Sequence, residues 1–201
     1  ANGVDMVEGQ GLTAAPAAGD IESLLQHYGV TIEKKLVADG RNAQASFSSG
    51  FVRFRLPYPL WPKIGREGFN HDNPAVSQLE SLVLPWTSPL AFASETAPGL
   101  TRIDLVRSSD VSWVMESPFD LNPQQQWDVT EADLKGSVMA FEFLGSLSSY
   151  FKDRAVPENP GATPGTPPKE EQPVTETSDA RFIVIASTRF INNQFLSMFG
   201  E

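Results

Sequence analysis

The residues that could carry chemistry in this chain are few and scattered. Ser108, Ser109 and Asp110 stand together, and with one histidine they would supply the groups of a serine hydrolase. No Gly-x-Ser-x-Gly elbow accompanies them, and such sets arise by chance in a serine-rich chain. A degenerate serine hydrolase that uses Ser108 or Ser109 is therefore kept only as an alternative.

The two histidines, His27 and His71, are the candidates for a nitrogen-ligated metal site. One lies in a predicted helix and the other in a predicted loop, without a His-x-x-x-His spacing, and the chain contains no cysteine. No phosphate-binding glycine loop follows a predicted strand. The sequence therefore predicts no metal, no nucleotide and no other cofactor.

Asp39 ends a predicted strand, which is where α/β proteins place their ligands. The sequence Ala-Asp-Gly-Arg-Asn around it is nevertheless typical of a polar turn. We interpret Asp39 as the end of a strand, and we predict no catalytic residue in the chain.

Tyr58, Trp61 and Trp86 are the residues that we select for contact with a ligand or partner. They surround proline-rich turns, where aromatic rings could form a platform for a sugar. Aromatic residues beside prolines more often pack a loop onto a core, because buried rings dominate core energetics. A binding module for a saccharide or another small ligand is therefore a second alternative.

Composition limits the possible partners. The 201 residues carry a net charge of −10, which disfavours nucleic acids and anionic membrane surfaces. No stretch approaches the roughly 20 apolar residues of a membrane span. The first residues resemble no signal peptide and include no initiator methionine. We therefore expect a soluble chain that is a fragment of a larger protein.

The N-terminal half contains a clear helix signal followed by a strand signal. Apolar residues at helical spacing predict a helix over Ile21–Tyr28, with Asp20 as its N-cap and Gly29 as its stop. A strand region follows over residues 30–39. A second, short helix is predicted to begin at "DNPAVSQLE", with Asp72 or Asn73 as its cap.

The C-terminal half contains the most apolar segments. Residues 136–151 predict a central buried strand, and "RFIVIAST" (181–188) has no polar alternation, which is typical of a strand covered on both faces in a parallel sheet. Ser187 or Thr188 is predicted to cap a final helix. These elements favour a single α/β domain over residues 1–201.

Two segments are predicted to lie outside the ordered core. Residues 1–19 are small and without periodicity, so we expect a loosely held lead-in. Residues 155–180 are rich in Pro, Thr and Glu and contain almost nothing that could be buried. We expect the second segment to be a flexible acidic insertion in the domain.

Several segments resemble a known family when they are taken in order. "DIESLLQHYGVTIEKKLVAD", "YPLWPKI", "NPAVSQLESLVLPWTSPL", "LVRSSDVSWVM" and "RFIVIASTRFINNQFL" are similar to successive blocks of the GldG-type auxiliary proteins of gliding-motility-like ABC transport systems. The resemblance spans about residues 20–55 and 57–200. The family often has an acid shortly after its closing strand, where this chain has residues 186–189, Ala-Ser-Thr-Arg.

The resemblance implies both a fold and a role. The fold would be a mostly parallel sheet flanked by helices, in a flavodoxin-like or glutamine-amidotransferase-like three-layer domain. The role would be that of a non-enzymatic accessory domain, located on the extracytoplasmic (periplasmic) face of the bacterial inner membrane. The domain would be part of a larger membrane-anchored protein, tethered by membrane helices that are absent from this chain. Its partners would be the permease and ATPase subunits of the same ABC system, contacted by protein–protein interaction.

Overall fold

The structure is a computed structural model that describes residues 2–7, 13–17, 19, 21–49, 51–93, 98–155, 174–193 and 195. Within these residues the chain forms thirteen β-strands, one α-helix and three short 3-10 helices. In chain order the elements are β1 (Val4–Met6), β2 (Thr13–Pro16), α1 (Ile21–His27), β3 (Val30–Ile32), β4 (Leu36–Asp39), β5 (Asn42–Ser49), β6 (Val52–Ile64), β7 (Leu82–Val83), β8 (Leu90–Phe92), β9 (Leu100–Arg107), β10 (Ser112–Met115), β11 (Phe119–Asp120), β12 (Val138–Ser148) and β13 (Glu176–Ile185), with the 3-10 helices at Arg66–Gly68, Glu131–Asp133 and Arg189–Ile191.

The strands assemble into small sheets. One sheet has the order β13-β12-β9, a second has the order β5-β6-β7, and a third has the order β1-β2-β11. Two further pairs join β4 to β10 and β3 to β8. Every one of these pairings in the described part of the chain is antiparallel.

This topology corrects the predicted fold. The mostly parallel, flavodoxin-like or glutamine-amidotransferase-like α/β domain is wrong, because the sheets are antiparallel and α1 is the one α-helix in the described residues. Parallel neighbours need a crossover of a dozen or more residues, usually a helix. Here a link of two residues turns β5 directly back into β6. The apolar runs in the sequence predicted where strands lie. They did not indicate whether the neighbouring strand runs parallel or antiparallel.

The predicted first helix is confirmed. Helix α1 begins at Ile21 and ends at His27, and it buries Leu25 in the core. Gly29 has a φ of 78°, the left-handed conformation that glycine adopts without steric cost, and strand β3 begins one residue later. The predicted cap, Asp20, lies outside the described residues.

The predicted second helix is wrong. Residues 71–78 form successive turns that bring the chain back toward β7. Asn73 acts as a cap: its Oδ1 accepts the backbone N–H of Ala75 at 3.0 Å, and its carbonyl oxygen accepts the backbone N–H of Ser77 at 2.9 Å, the i→i+4 bond of one helical turn. The next turn bonds i→i+3, from Leu79 N–H to the Val76 carbonyl oxygen, so the helix does not continue.

The strand buried on both faces is β12 and not β13. Every residue from Val138 to Phe143 is buried, because β12 lies in the middle of its sheet with apolar clusters on both sides. Strand β13 lies at the edge, and Ile183 on its outer face is 44% exposed. The predicted two-sided burial of "RFIVIAST" is therefore wrong.

The remaining predictions on organisation concern the two ends and the insertion. Part of the predicted lead-in forms β1 and β2, which pair with each other, and β2 also pairs with β11. Residues 156–173 of the predicted insertion lie outside the described residues, and β13 begins at Glu176. At the start of the predicted final helix, Arg189–Ile191 form a 3-10 helix. Residues 194 and 196–201 lie outside the described part.

Candidate functional site

Asp39 and Ser109 meet where β4 and β9 end. Asp39 is fully buried, and its Oδ1 accepts hydrogen bonds from the Ser109 hydroxyl at 2.6 Å and from the Arg41 backbone N–H at 2.8 Å. Its Oδ2 accepts the backbone N–H of Ser109 at 2.9 Å. These bonds replace the water that a buried carboxylate loses. Asp39 thus ties two turns together, which agrees with its interpretation as a strand end.

The neighbouring serines form a second buried network. The Oγ atoms of Ser108 and Ser112 lie 2.7 Å apart, and the backbone N–H of Ser137 donates to Ser108 Oγ at 2.7 Å. Ser112 Oγ also lies 2.7 Å from the carbonyl oxygen of Ser109. These hydroxyls hold the 108–112 turn against the chain before β12.

The structure does not bring a histidine to these serines within the described residues. His27 Nε2 lies 3.2 Å from the carbonyl oxygen of Ser148, and its ring contacts Tyr28 and Tyr150 edge-on. His71 is exposed in a turn. A general base for Ser109 would have to lie within hydrogen-bond reach of its hydroxyl, and that hydroxyl donates to Asp39.

A polar cavity of about 300 Å³ is lined on one side by Ser108 and Ser109. Its charged lining residues are Arg41, Lys63, Glu67, Arg107 and Asp110. The guanidinium of Arg41 forms an ion pair with Glu67 and lies 3.9 Å from Asp110. Most of the cavity's charge is therefore balanced internally.

Tyr58, Trp61 and Trp86 form an aromatic cluster. Their ring centroids lie 5.4 to 6.3 Å apart in edge-to-face geometry, and Phe47 and Phe195 extend the cluster. Tyr58 is fully buried, Trp61 is 5% exposed and Trp86 is half-buried. Most of the ring surface is therefore already covered by other rings.

The polar atoms of Tyr58 and Trp86 are also engaged. The Tyr58 hydroxyl donates to the carbonyl oxygen of Leu121 at 2.8 Å and accepts from Trp86 Nε1 at 3.4 Å. Burial raises the pKa of Tyr58 to about 12. The predicted contact of Tyr58, Trp61 and Trp86 with a ligand or partner stays a prediction, and Trp86 has the most accessible ring of the three.

Glu142 is a buried carboxylate that the sequence analysis did not select. It lies at the middle of β12, fully buried, where its Oε2 accepts from Asn73 Nδ2 at 2.6 Å and its Oε1 pairs with Arg181 Nε. The bond from Arg181 holds the pKa of Glu142 below its usual range. The signal was a single acid within the apolar run "VMAFEFL". Glu142 joins the 71–78 turns and β13 to the central strand.

The outer part of the β5–β6 hairpin is exposed on one face, and we call residues 46–49 and 51–55 the basic arm. Phe51 at its tip is completely exposed, Val52 is 64% exposed, and Arg53 and Arg55 point to solvent. Between residues 40 and 66 the sequence has five basic residues and no acidic one. A groove of about 600 Å³ beside the arm includes Arg55 in its lining. Sequence analysis missed this surface, although the charge segregation is visible in the sequence.

Comparison with known families identifies the group to which the chain belongs. A family model described as an ABC-type uncharacterized transport system, of the auxiliary type, matches residues 2–200. The chain belongs to this family of ABC transport auxiliary proteins. No match was found among curated proteins, and none among solved structures.

The family match confirms the coarser part of the resemblance. This auxiliary protein is associated with an ABC-type transport system, whereas the narrower GldG-type identity stays a prediction. No helix in the described residues of the auxiliary protein is long and apolar enough to cross a membrane. The same residues contain no cluster of three or more metal-ligating side chains.

Proposed function

We propose that this auxiliary protein is a non-enzymatic accessory domain of a GldG-type ABC transport system. It acts on the extracytoplasmic, periplasmic face of the bacterial inner membrane, as part of a membrane-anchored protein. Its function is to contact the permease of the same system, and through the permease it forms one complex with the ATPase subunit. The family match over residues 2–200 supports the transport association.

The observation that carries the non-enzymatic part is the contact between Asp39 and Ser109. A nucleophilic serine needs a base that accepts its proton and remains free to pass it on. The Ser109 hydroxyl instead donates to a carboxylate that also holds two backbone N–H groups. This geometry stabilises two turns and leaves the carboxylate committed to structure.

Co-purification tests the proposed partnership. The full natural polypeptide is expressed with the permease and ATPase of the proposed system, and an affinity tag on the ATPase is used for purification in mild detergent. We expect the auxiliary protein to co-elute in fixed stoichiometry. An ABC permease and ATPase from an unrelated system serve as the control and should not retain it.

Two results would contradict the proposal. Equal recovery with the cognate and the unrelated transporter would show that the association is not specific.

Labelling of an engineered cysteine at Ser178, an exposed position on β13, tests the location. A membrane-impermeant maleimide should label it in intact spheroplasts, and labelling only after lysis would place the domain in the cytoplasm.

A further inference from the structure

The outer edge of β5 lacks the features that normally protect an edge strand. Proteins keep edge strands from pairing with other chains by making them short or by placing charges and prolines on them. Strand β5 is eight residues long, and its sequence, NAQASFSS, contains no charge and no proline. The long outer strands of the other large sheet, β9 and β13, carry three charged residues each.

In the part of the chain that the structure describes, β5 pairs with β6 alone, so no strand lies on its outer backbone edge. Antiparallel partners alternate between bonded and non-bonded pairs. Gln44 lies opposite Pro57, which has no N–H to donate, so this pair is of the non-bonded kind. The same alternation directs the N–H and C=O groups of Ser46 and Ser48 away from β6.

The charge next to this edge is positive and unbalanced. Arg53 lies opposite Ser48 and Arg55 lies opposite Ser46, and all four side chains are exposed. No ion pair within the described residues involves Arg53 or Arg55, although the chain as a whole carries a net charge of −10. The small serines leave both guanidinium groups uncovered.

We propose that the outer edge of β5 accepts an extended, acidic segment of a partner protein as an added β-strand. Backbone hydrogen bonds to Gln44, Ser46 and Ser48 would hold the segment, and its carboxylates would pair with Arg53 and Arg55. The exposed Phe51 and Val52 at the tip would be covered by an apolar residue of the same segment. This inference rests on the proposed function and names the surface that contacts the transporter subunit.

A synthetic peptide tests the edge directly. The probe is a fluorescein-labelled heptapeptide that alternates Glu with Thr or Val, measured by anisotropy against the full chain. A peptide with Lys in place of Glu is the control. We expect saturable binding of the acidic peptide and at least tenfold weaker binding of the basic one, because like charges now face each other.

Two pairs of variants separate strand addition from simple charge attraction. The double variant R53E/R55E should weaken binding of the acidic peptide by roughly tenfold or more, whereas R53K/R55K should stay within about threefold. Ser46→Pro removes a backbone N–H that makes no bond to β6, and it should weaken binding by about fivefold or more. Ser46→Ala keeps that N–H and should bind as the wild type does. Far-UV circular dichroism checks that each variant is folded.

Several results would overturn the inference. Binding that survives in R53E/R55E, or in a folded Ser46→Pro variant, would show that the segment does not add to β5. A wild-type dimer that Ser46→Pro converts to a monomer, measured by light scattering, would show that the edge pairs with a second copy. Equal binding to vesicles of anionic phospholipid would assign the arginines to a membrane surface.

The same variants distinguish this inference from the proposed function. If wild type and R53E/R55E both co-purify with the cognate transporter, the edge inference fails while the proposed function stands. If the acidic peptide binds as expected but the wild type does not co-purify, the edge binds acidic segments and the proposed partners are wrong.

Discussion

The centre of the β13-β12-β9 sheet and the basic arm use their polar groups in opposite ways. In the sheet centre the carboxylate of Glu142 is fully buried, and Asn73 and Arg181 supply its partners. In the basic arm Arg53 and Arg55 are exposed and form no ion pair with the described residues. Polar groups that form hydrogen bonds or ion pairs within the chain stabilise the fold. Exposed polar groups without such a partner among the described residues can bind another molecule. The contrast separates the residues that hold this fold from those that can contact a partner.

The largest expected effect is in the sheet centre. Phe141 is fully buried on β12 and contacts Phe92, Phe143 and Phe182. Phe141→Ala should lower the free energy of unfolding by about 3–5 kcal/mol, because lost transfer energy and a new cavity add together. Chemical denaturation measures this change. A loss below about 1 kcal/mol would show that the sheet centre is not the core of the fold.

The second effect concerns the Glu142–Arg181 pair. Among the described residues, Arg181→Ala leaves Asn73 as the remaining partner of the buried carboxylate, and we expect a loss of about 1–3 kcal/mol. The value lies below that of a fully buried pair because the Arg181 side chain is 54% exposed and water screens it. Arg181→Lys keeps the charge and should cost less than Arg181→Ala.

The same pair gives a pH dependence with a defined sign. The pKa of Glu142 is lower in the folded state than the value of about 4.3 for an unfolded chain. Its contribution to stability is therefore present above that unfolded pKa and is lost as the pH falls through the folded pKa. Denaturation between pH 7 and pH 3 should show a smaller loss for Arg181→Ala than for the wild type. Parallel curves would contradict the assignment.

The third effect tests the contact between Asp39 and Ser109. Asp39→Asn leaves at least one of three donors without its acceptor and should cost about 1–3 kcal/mol. Ser109→Ala should cost about 1 kcal/mol, and the double variant should show a coupling of about 0.5–3 kcal/mol. If a serine-directed fluorophosphonate labels the wild type and not Ser109→Ala, Ser109 is a nucleophile and the structural role is wrong.

The fourth effect separates the two faces of β13. Ile183→Ser replaces a side chain that is 44% exposed, so it should change the free energy of unfolding by no more than about 0.5 kcal/mol. Phe182 lies on the opposite face and packs against Phe143 at 5.3 Å between ring centroids. Phe182→Ser is the matched control and should cost clearly more. Equal costs would restore the two-sided burial that the sequence predicted.

The positions of elements were largely predictable from the sequence, and their arrangement was not. The periodicity of Ile21–His27 and the stop at Gly29 located the helix, because both signals are local. The run "FIVI" could not reveal whether its strand lay at the centre or the edge of a sheet, because burial depends on which strand lies beside it. The segment after Asn73 was predicted as a helix because it has a helix-cap sequence, and Asn73 does cap one turn. A cap signal is local and does not determine how far a helix continues.

The candidate site was predictable only in part, because its contacts join residues that lie far apart in the sequence. The turn role of Asp39 followed from its neighbours in sequence, but its partner Ser109 is 70 positions away. Glu142 was overlooked because a lone acid in an apolar run has no recognisable motif. The basic arm could have been found by mapping charge along the chain, since residues 40–66 contain no acid.

The smallest effect on stability is expected at the tip of the basic arm, whose exposure contrasts most with the buried sheet centre. Phe51 is completely exposed, so Phe51→Ser removes no buried surface and should change the free energy of unfolding by no more than about 0.5 kcal/mol. Phe54 is the matched control on the inner face of the same hairpin, where its ring stacks on Phe47 at 6.0 Å, and Phe54→Ser should cost more. A solvent-exposed aromatic side chain that does not stabilise its own domain can still be buried against a partner protein. Phe51→Ser should therefore weaken co-purification with the cognate transporter subunits while leaving the denaturation midpoint unchanged. A large loss of stability would show that the tip packs on the domain, and the basic arm would then belong to the core like the sheet centre.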